Sequence, residues 1–273
     1  LTPNGSGAVQ LDGLSWPTAD GSANQVLKTD GSGALSWSAP SSGVSSVNDL
    51  SDALVETNSI FLGQDPSSTT SAAQYNASLG TTALDAITTG DSNTALGYDA
   101  STNLTTGNNN VAIGYEALRD NQTNSNNVAI GLSALQESKG AASNIAIGAN
   151  AMRGTTNTDI TGGDNVAIGS SAMKFNITGE SNISIGKNSL ASNTGGSYNS
   201  ALGKGSLNDN TDGTNNTAVG YLSGNSGTND ITTGTNNTLL GASSSTSAAT
   251  GTNQSVIGYG ATGQADNSVV LGN

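Results

Sequence analysis

With 273 residues, a formal charge of −13 and only seven Lys and Arg, the chain lacks the basic surface that nucleic acid or an anionic membrane would require. It has no Cys and no His, which excludes disulfides, thiolate metal sites, a Ser-His-Asp triad and the commonest general base. No run of about 18 apolar residues occurs, so no membrane insertion is expected.

Residues 1–57 differ from the rest and are expected to form a β-rich connector. Two Trp segments echo each other, Gly13 to Trp16 and Ala34 to Trp37. Gln25 to Thr29, Asp30 to Gly33 and Ala34 to Trp37 read as strand, turn and strand, because Asp-Gly between apolar runs is a strong hairpin signal. Leu50, Leu54 and Val55 fall on one face of a short helix expected over 47–55.

From Asn58 to Asn273 a repeat takes over. Aligned on one glycine, it recurs at Gly63, Gly80, Gly97, Gly114, Gly131, Gly148, Gly169, Gly186, Gly203, Gly220, Gly241, Gly258 and Gly272. Most copies lie 17 residues apart, two steps are 21 and the last is 14. A fixed period of this kind predicts a solenoid of stacked turns, all-β and parallel. Leu, Ile, Val and Phe are about 18% of the chain, under the roughly 20% that reads as disorder at high net charge. Their recurrence at fixed offsets argues for a thin continuous core instead.

The residue before each glycine is always Leu, Ile or Val. Two residues earlier the set is mixed, and a small residue lies between, as in Val-Ala-Ile. Alternation of period two predicts a short strand. Ile113, Ile130, Ile147, Ile168 and Ile185 are the expected core of that strand, so Ile130→Asp should put an unpaired charge into it. The Ala face is expected to be where several chains associate. Gly114, Gly131, Gly148, Gly169 and Gly186 end the strand as bends. Asn110, Asn127, Asn144, Asn165 and Asn182 precede those glycines by four and would stack into an amide ladder. Ala or Ser three residues after the glycine, then Leu or Met (Leu118, Leu135, Met152, Met173), marks a second apolar strand or corner.

The block Asn109 to Ala117, repeated at Asn126 to Ala134, resembles the head repeats of trimeric autotransporter adhesins, the YadA-like head. That resemblance covers about residues 58–273. It implies a left-handed parallel β-roll, three chains about one axis and a role in surface attachment. The head repeat of that family is near 14 residues, so the 17-residue period here implies a longer loop on each turn. Gly13 to Pro17, Gln25 to Gly31 and Asn58 to Pro66 resemble bacteriophage tail-fibre and related virion proteins. In such fibres a self-cleaving C-terminal chaperone often follows the shaft. The ends at Leu1 and within the last repeat are expected to be those of a piece of a longer chain. The resemblances imply a homotrimer on a virion tail appendage, or alternatively on a bacterial surface. Its partners would be other virion or fibre proteins and a host cell-surface receptor, a glycan among the candidates.

Tyr98, Tyr115, Tyr221 and Tyr259 share the position after the glycine. They could line a glycan-contact stripe, or simply cover neighbouring turns or an interface. Gly162 to Asp164 and Gly195-Gly196 lack the context of a phosphate loop and read as turns. Asp209, Asp212 and Asp230 could hold Ca²⁺, but without the calcium β-roll pattern they read as turn carboxylates. No cofactor, metal or catalytic residue is expected, and a polysaccharide depolymerase is the alternative from another class. A paired acid in a groove would favour it.

Overall fold

The computed structural model describes residues 10–11, 14–39, 53–56, 58–63, 72–155, 158–227 and 229–272. Every regular element among them is a strand. The chain divides into two units, Leu1–Ser51 and Asp52–Asn273.

In the first unit, β1 (Gln10–Leu11) pairs antiparallel with β2 (Leu14–Ser15), and β3 (Val26–Thr29) with β4 (Leu35–Ser38). The β3–β4 pair is the hairpin read from Asp30-Gly31. The Asp30 carboxylate accepts from the Ser32 and Ala34 amides at 2.8 and 3.0 Å, which closes the turn and holds that carboxyl below its usual range. The Trp37 indole donates to Ala19 O at 2.8 Å and lies against Gly21, where a Cβ would meet the ring at 2.6 Å.

The second unit begins with β5 (Ala53–Glu56), antiparallel to β6 (Ser59–Gly63). The helix expected over 47–55 is therefore corrected where it is described: residues 53–55 are extended and hydrogen-bonded to the solenoid, while 47–52 lie outside the described residues. The unit boundary likewise falls at 51/52 rather than 57, because β5 belongs to the same sheet. From β6 to β18 (Val269–Leu271) one short strand per turn stacks in parallel, in sequence order and in register, over about 12 turns. Val111 faces Val128, Ala112 faces Ala129 and Ile113 faces Ile130.

The burial of these strands corrects the expected core. Ala112, Ala129, Ala146 and Ala167 are fully buried, whereas Ile113, Ile130, Ile147 and Ile168 are half-buried and Ile185 is exposed. The small residue points into its own coil and the aliphatic pair points outward. Volume is the reason. Leu118, Leu135, Met152, Met173, Leu190 and Leu207, four residues after each glycine, are wholly buried and occupy the interior. In those turns a close-packed interior leaves room for little more than a methyl on the strand opposite, whereas Leu239 and Val256 are buried at the same place where the corner residue is Ser245 or Thr262. The Ala face is thus internal and is not available to another chain. Nor is the second apolar segment a strand. Leu118, Leu135 and Met173 have φ of 53°, 51° and 48° and form left-handed corners.

Most turns carry two or three such non-glycine residues, for example Glu116, Leu118 and Asn126 between Gly114 and Gly131. Each costs roughly 1–2 kcal/mol, and ladders of hydrogen bonds offset that cost. The Asn127 amide N–H donates to Asn110 Oδ1 at 3.0 Å; Asn165 likewise donates to Asn144, and Asn182 to Asn165, at 2.9 Å. The side-chain amide of Asn182 adds bonds to Asn165 Oδ1 at 3.1 Å and to Gly196 O at 2.9 Å. The ladder is continuous to Ser59 below, whose Oγ accepts from Asn76 N, and to Gln254 above, whose N donates to Asn237 Oδ1. At the bend, Gly131 has φ 130° and a Cβ there would lie 2.7 Å from the Gly148 carbonyl carbon, so only hydrogen fits.

Candidate functional site

Three features of the solenoid surface carry chemistry. The first is the outer face of the strands. Val111 with Ile113, Val128 with Ile130, Ile145 with Ile147, Val166 with Ile168 and Ile183 with Ile185 form two adjacent aliphatic rows. The row next to the glycine continues through Leu202, Val219, Leu240 and Ile257, all exposed, while its neighbour turns polar at Ser200, Thr217, Thr238 and Ser255. Stacking at about 4.8 Å per rung gives a stripe about 60 Å long. Monomeric proteins seldom leave so long a contiguous apolar face open to water.

The second feature is the ridge immediately after the glycines. The rings of Tyr98 and Tyr115 stack on successive turns, centroids 5.4 Å apart and 15° from parallel, each about half exposed. The Glu116 carboxylate beside Tyr115 accepts from its hydroxyl and raises its pKa. Tyr221 lies elsewhere on the ridge, with the Lys204 ammonium 5.6 Å from its ring centroid, and Tyr259 is 78% exposed. Ala242 occupies the turn between those two, so the four tyrosines make one stacked pair and two separate rings rather than a continuous stripe.

The third feature was not read from the sequence: an ionic cluster formed one rung at a time by residues two, five and six after the glycine. Arg119 reaches Glu116 at 3.2 Å, Asp120 at 2.8 Å and Glu137, on the next turn, at 3.5 Å. Gln136 donates to Glu116 and accepts from Arg153 Nε at 3.0 Å. Burial, then the neighbouring Asp120, pushes the Glu137 carboxyl up. Burial alone would also raise Asp120, but its bonds to Arg119 and Glu137 hold it below the ordinary range. Asp120 is in turn a reason the Arg119 pKa is raised. The two carboxyls lie close enough for each to shift the other's pKa. A glycosidase pair stands roughly 5–9.5 Å apart to admit a sugar or a water, so this pair is built for structure.

A second internal amide column was also missed. Asn193 Nδ2 donates to Asn176 Oδ1 at 2.7 Å and Asn210 Nδ2 to Asn193 Oδ1 at 2.9 Å, each bonding in addition to a glycine carbonyl of its own turn. The signal was present, since Asn recurs seven residues after the glycine at 121, 176, 193 and 210. The column stops at Asn210, whose Oδ1 is buried without a partner. The next turn is a 21-residue one that supplies Ile231 to the interior instead. Asp209 and Asp230 both lie within reach of the Asn225 side-chain amide, at 3.2 and 3.1 Å once that amide is oriented to donate. Among the described residues no three His, Asp or Glu side chains converge as a metal site.

No protein-family model matches the chain, and no curated protein matches it.

Proposed function

We propose that the chain is a structural attachment fibre: a stiff solenoid, assembled as a homotrimer, that carries contact sites to a host cell surface. The observation that supports this most is the uncovered aliphatic face of the parallel sheet. The row one residue before the glycine is aliphatic along the whole solenoid and the row three before it is aliphatic from Val111 to Ile183, and among the described residues nothing covers them. Burying them against further copies of the same face removes the apolar surface from water at roughly 25 cal/mol per Å². The association surface is thus the Ile face, not the Ala face.

The Asn-Val-Ala-Ile-Gly block and its likeness to the YadA-like head support a left-handed roll with three chains about one axis. The N-terminal likeness to tail-fibre proteins favours a virion appendage bound to other virion proteins over a bacterial surface adhesin, which is the second reading. In either setting three copies of a weak contact, to a glycan or another receptor, add through avidity. A depolymerase is disfavoured by the closed Asp120–Glu137 pair.

The test is the native mass of the purified chain by sedimentation, with and without mild denaturant, followed by binding of labelled protein to whole bacterial cells. A trimer that resists dissociation and decorates cells is the expected result. A folded monomer would remove the physical basis of the reading.

A further inference from the structure

The chain spends its few cations unevenly. Arg119 and Lys139 are ion-paired, the latter to Asp159 at 2.9 Å, and Lys204 rests over Tyr221. Lys174 likewise stands over a ring, that of Phe175, but Arg153 and Lys174 differ from the others in position. They hold the same place on successive turns, five residues after Gly148 and Gly169, so two like charges sit one rung apart. No carboxylate lies within ion-pair distance of either among the described residues. Like charges directly opposite on neighbouring strands destabilise a sheet, and a solenoid stacks its turns in the same way. Among the described residues Lys28 and Lys187 also have no carboxylate within ion-pair distance, and the cavity that Lys28 lines carries no second cation.

Arg153 and Lys174 do. With Gly154, Thr155 and Phe175 they bound a notch of about 200 Å³. Arg153 is held by its Nε bond to Gln136, and its terminal guanidinium nitrogens have no hydrogen-bond partner among the described residues. Gly154 N–H donates to Lys174 O at 2.9 Å and fixes the two turns together. Phe175 is 36% exposed, and the Lys174 ammonium stands 4.8 Å from its ring centroid. The notch is smaller than the roughly 300–1,000 Å³ of sites for drug-sized ligands. It offers a planar donor fork suited to a carboxylate, a second positive charge and an aromatic ring on whose face the C–H bonds of a sugar can pack.

We propose that this notch binds one carboxylate-bearing sugar residue of an acidic surface polysaccharide. The carboxylate lies between Arg153 and Lys174, relieving their mutual repulsion, and the pyranose ring rests against Phe175. The notch residues follow the glycine by five to seven, whereas the aliphatic rows precede it, so the site and the proposed assembly surface are on different stretches of the turn. The inference leans on the attachment reading only for the source of the saccharide.

Binding is measured in solution by titration calorimetry on the whole chain, with tri-galacturonate as probe, its fully methyl-esterified form as the uncharged control and inorganic phosphate as the bare anion. The acid is expected to bind, and the ester at least tenfold more weakly. R153Q and K174Q should each lose tenfold or more, and F175A should weaken the sugar without changing any response to phosphate. Unliganded R153Q and K174Q should keep the parent's circular dichroism spectrum and cooperative melting, which separates lost binding from lost fold. Equal affinity for ester and acid, phosphate binding as tightly as the sugar, or no binding of the acid would each overturn the proposal. Failure of the chain to attach to cells would count against the fibre reading alone.

Discussion

The two faces of one three-residue strand behave as different regions of the molecule. On the inner face Ala112, Ala129, Ala146 and Ala167 are sealed against the corner leucines and methionines. On the outer face Ile113, Ile130, Ile147 and Ile168 are only half covered, although they are the larger and more apolar residues. Hydrophobicity alone would reverse the two. The difference teaches that in a coil this narrow the volume available, not the transfer free energy of the side chain, decides which face turns inward.

The comparison can be broken most severely at Ala129. Ala129→Glu places an unpaired charge in the closed interior, a cost of several kcal/mol. It should abolish cooperative unfolding and the β signal in circular dichroism, whereas Ile130→Glu should leave the coil folded and, in the proposed trimer, lower only its native mass. If Ile130→Glu unfolds the isolated coil, the orientation of the strand is wrong. Next in size is the residue that fills the space opposite. Leu135→Ala should cost about 2–5 kcal/mol in urea unfolding, the range for a large-to-small change at a fully buried site.

A smaller effect sharpens the contrast between two kinds of corner. Ile87 and Leu104 close it with apolar side chains; Asn176, Asn193 and Asn210 close it with amides on the same backbone path. Asn193→Leu strands a donor on one neighbour and an acceptor on the other and should cost about 1–3 kcal/mol. Asn210→Leu removes an acceptor that is already unpaired, so its cost should be the lesser of the two by denaturant midpoint. The smallest effect concerns pH. Glu137 keeps its proton longer in the folded chain than in the unfolded one, so stability is greatest below the ordinary glutamate value and falls as pH rises through the raised one. Asp120 runs oppositely, losing its contribution as pH falls through its lowered value. Glu137→Gln should therefore flatten the decline in melting temperature above the ordinary glutamate range; an unchanged slope would dissociate Glu137 from it.

Much of this was legible in the residues. The period placed every turn, the glycine marked every bend, and Asn110 through Asn182 announced a ladder that the hydrogen bonds reproduce. The face of the strand was not legible, because Val-Ala-Ile obeys period two equally well with either side inward. Nor were the corners, since a leucine at positive φ runs against local preference and is held there by its buried contacts. The 21-residue turns read only as longer loops, yet Ile160 and Ile231 fold back from them into the interior. At the candidate surface, Tyr98 and Tyr115 could be foreseen as neighbours from their spacing. The Arg119 cluster and the Arg153–Lys174 notch required knowing that residues 17 or 21 apart become adjacent on that particular edge of the coil.

The register of the parallel strands has a mechanical consequence. Their hydrogen bonds run along the stacking direction, so a pull on the two ends of the solenoid loads successive turns in series. The chain should therefore not shear all at once. It should peel one turn at a time, each release freeing about 17 residues and lengthening the tether by about 50 Å, the extended length of the turn less one rung. Such a solenoid gives way in small, nearly equal steps under load, absorbing tension gradually while the turns still stacked keep their grip.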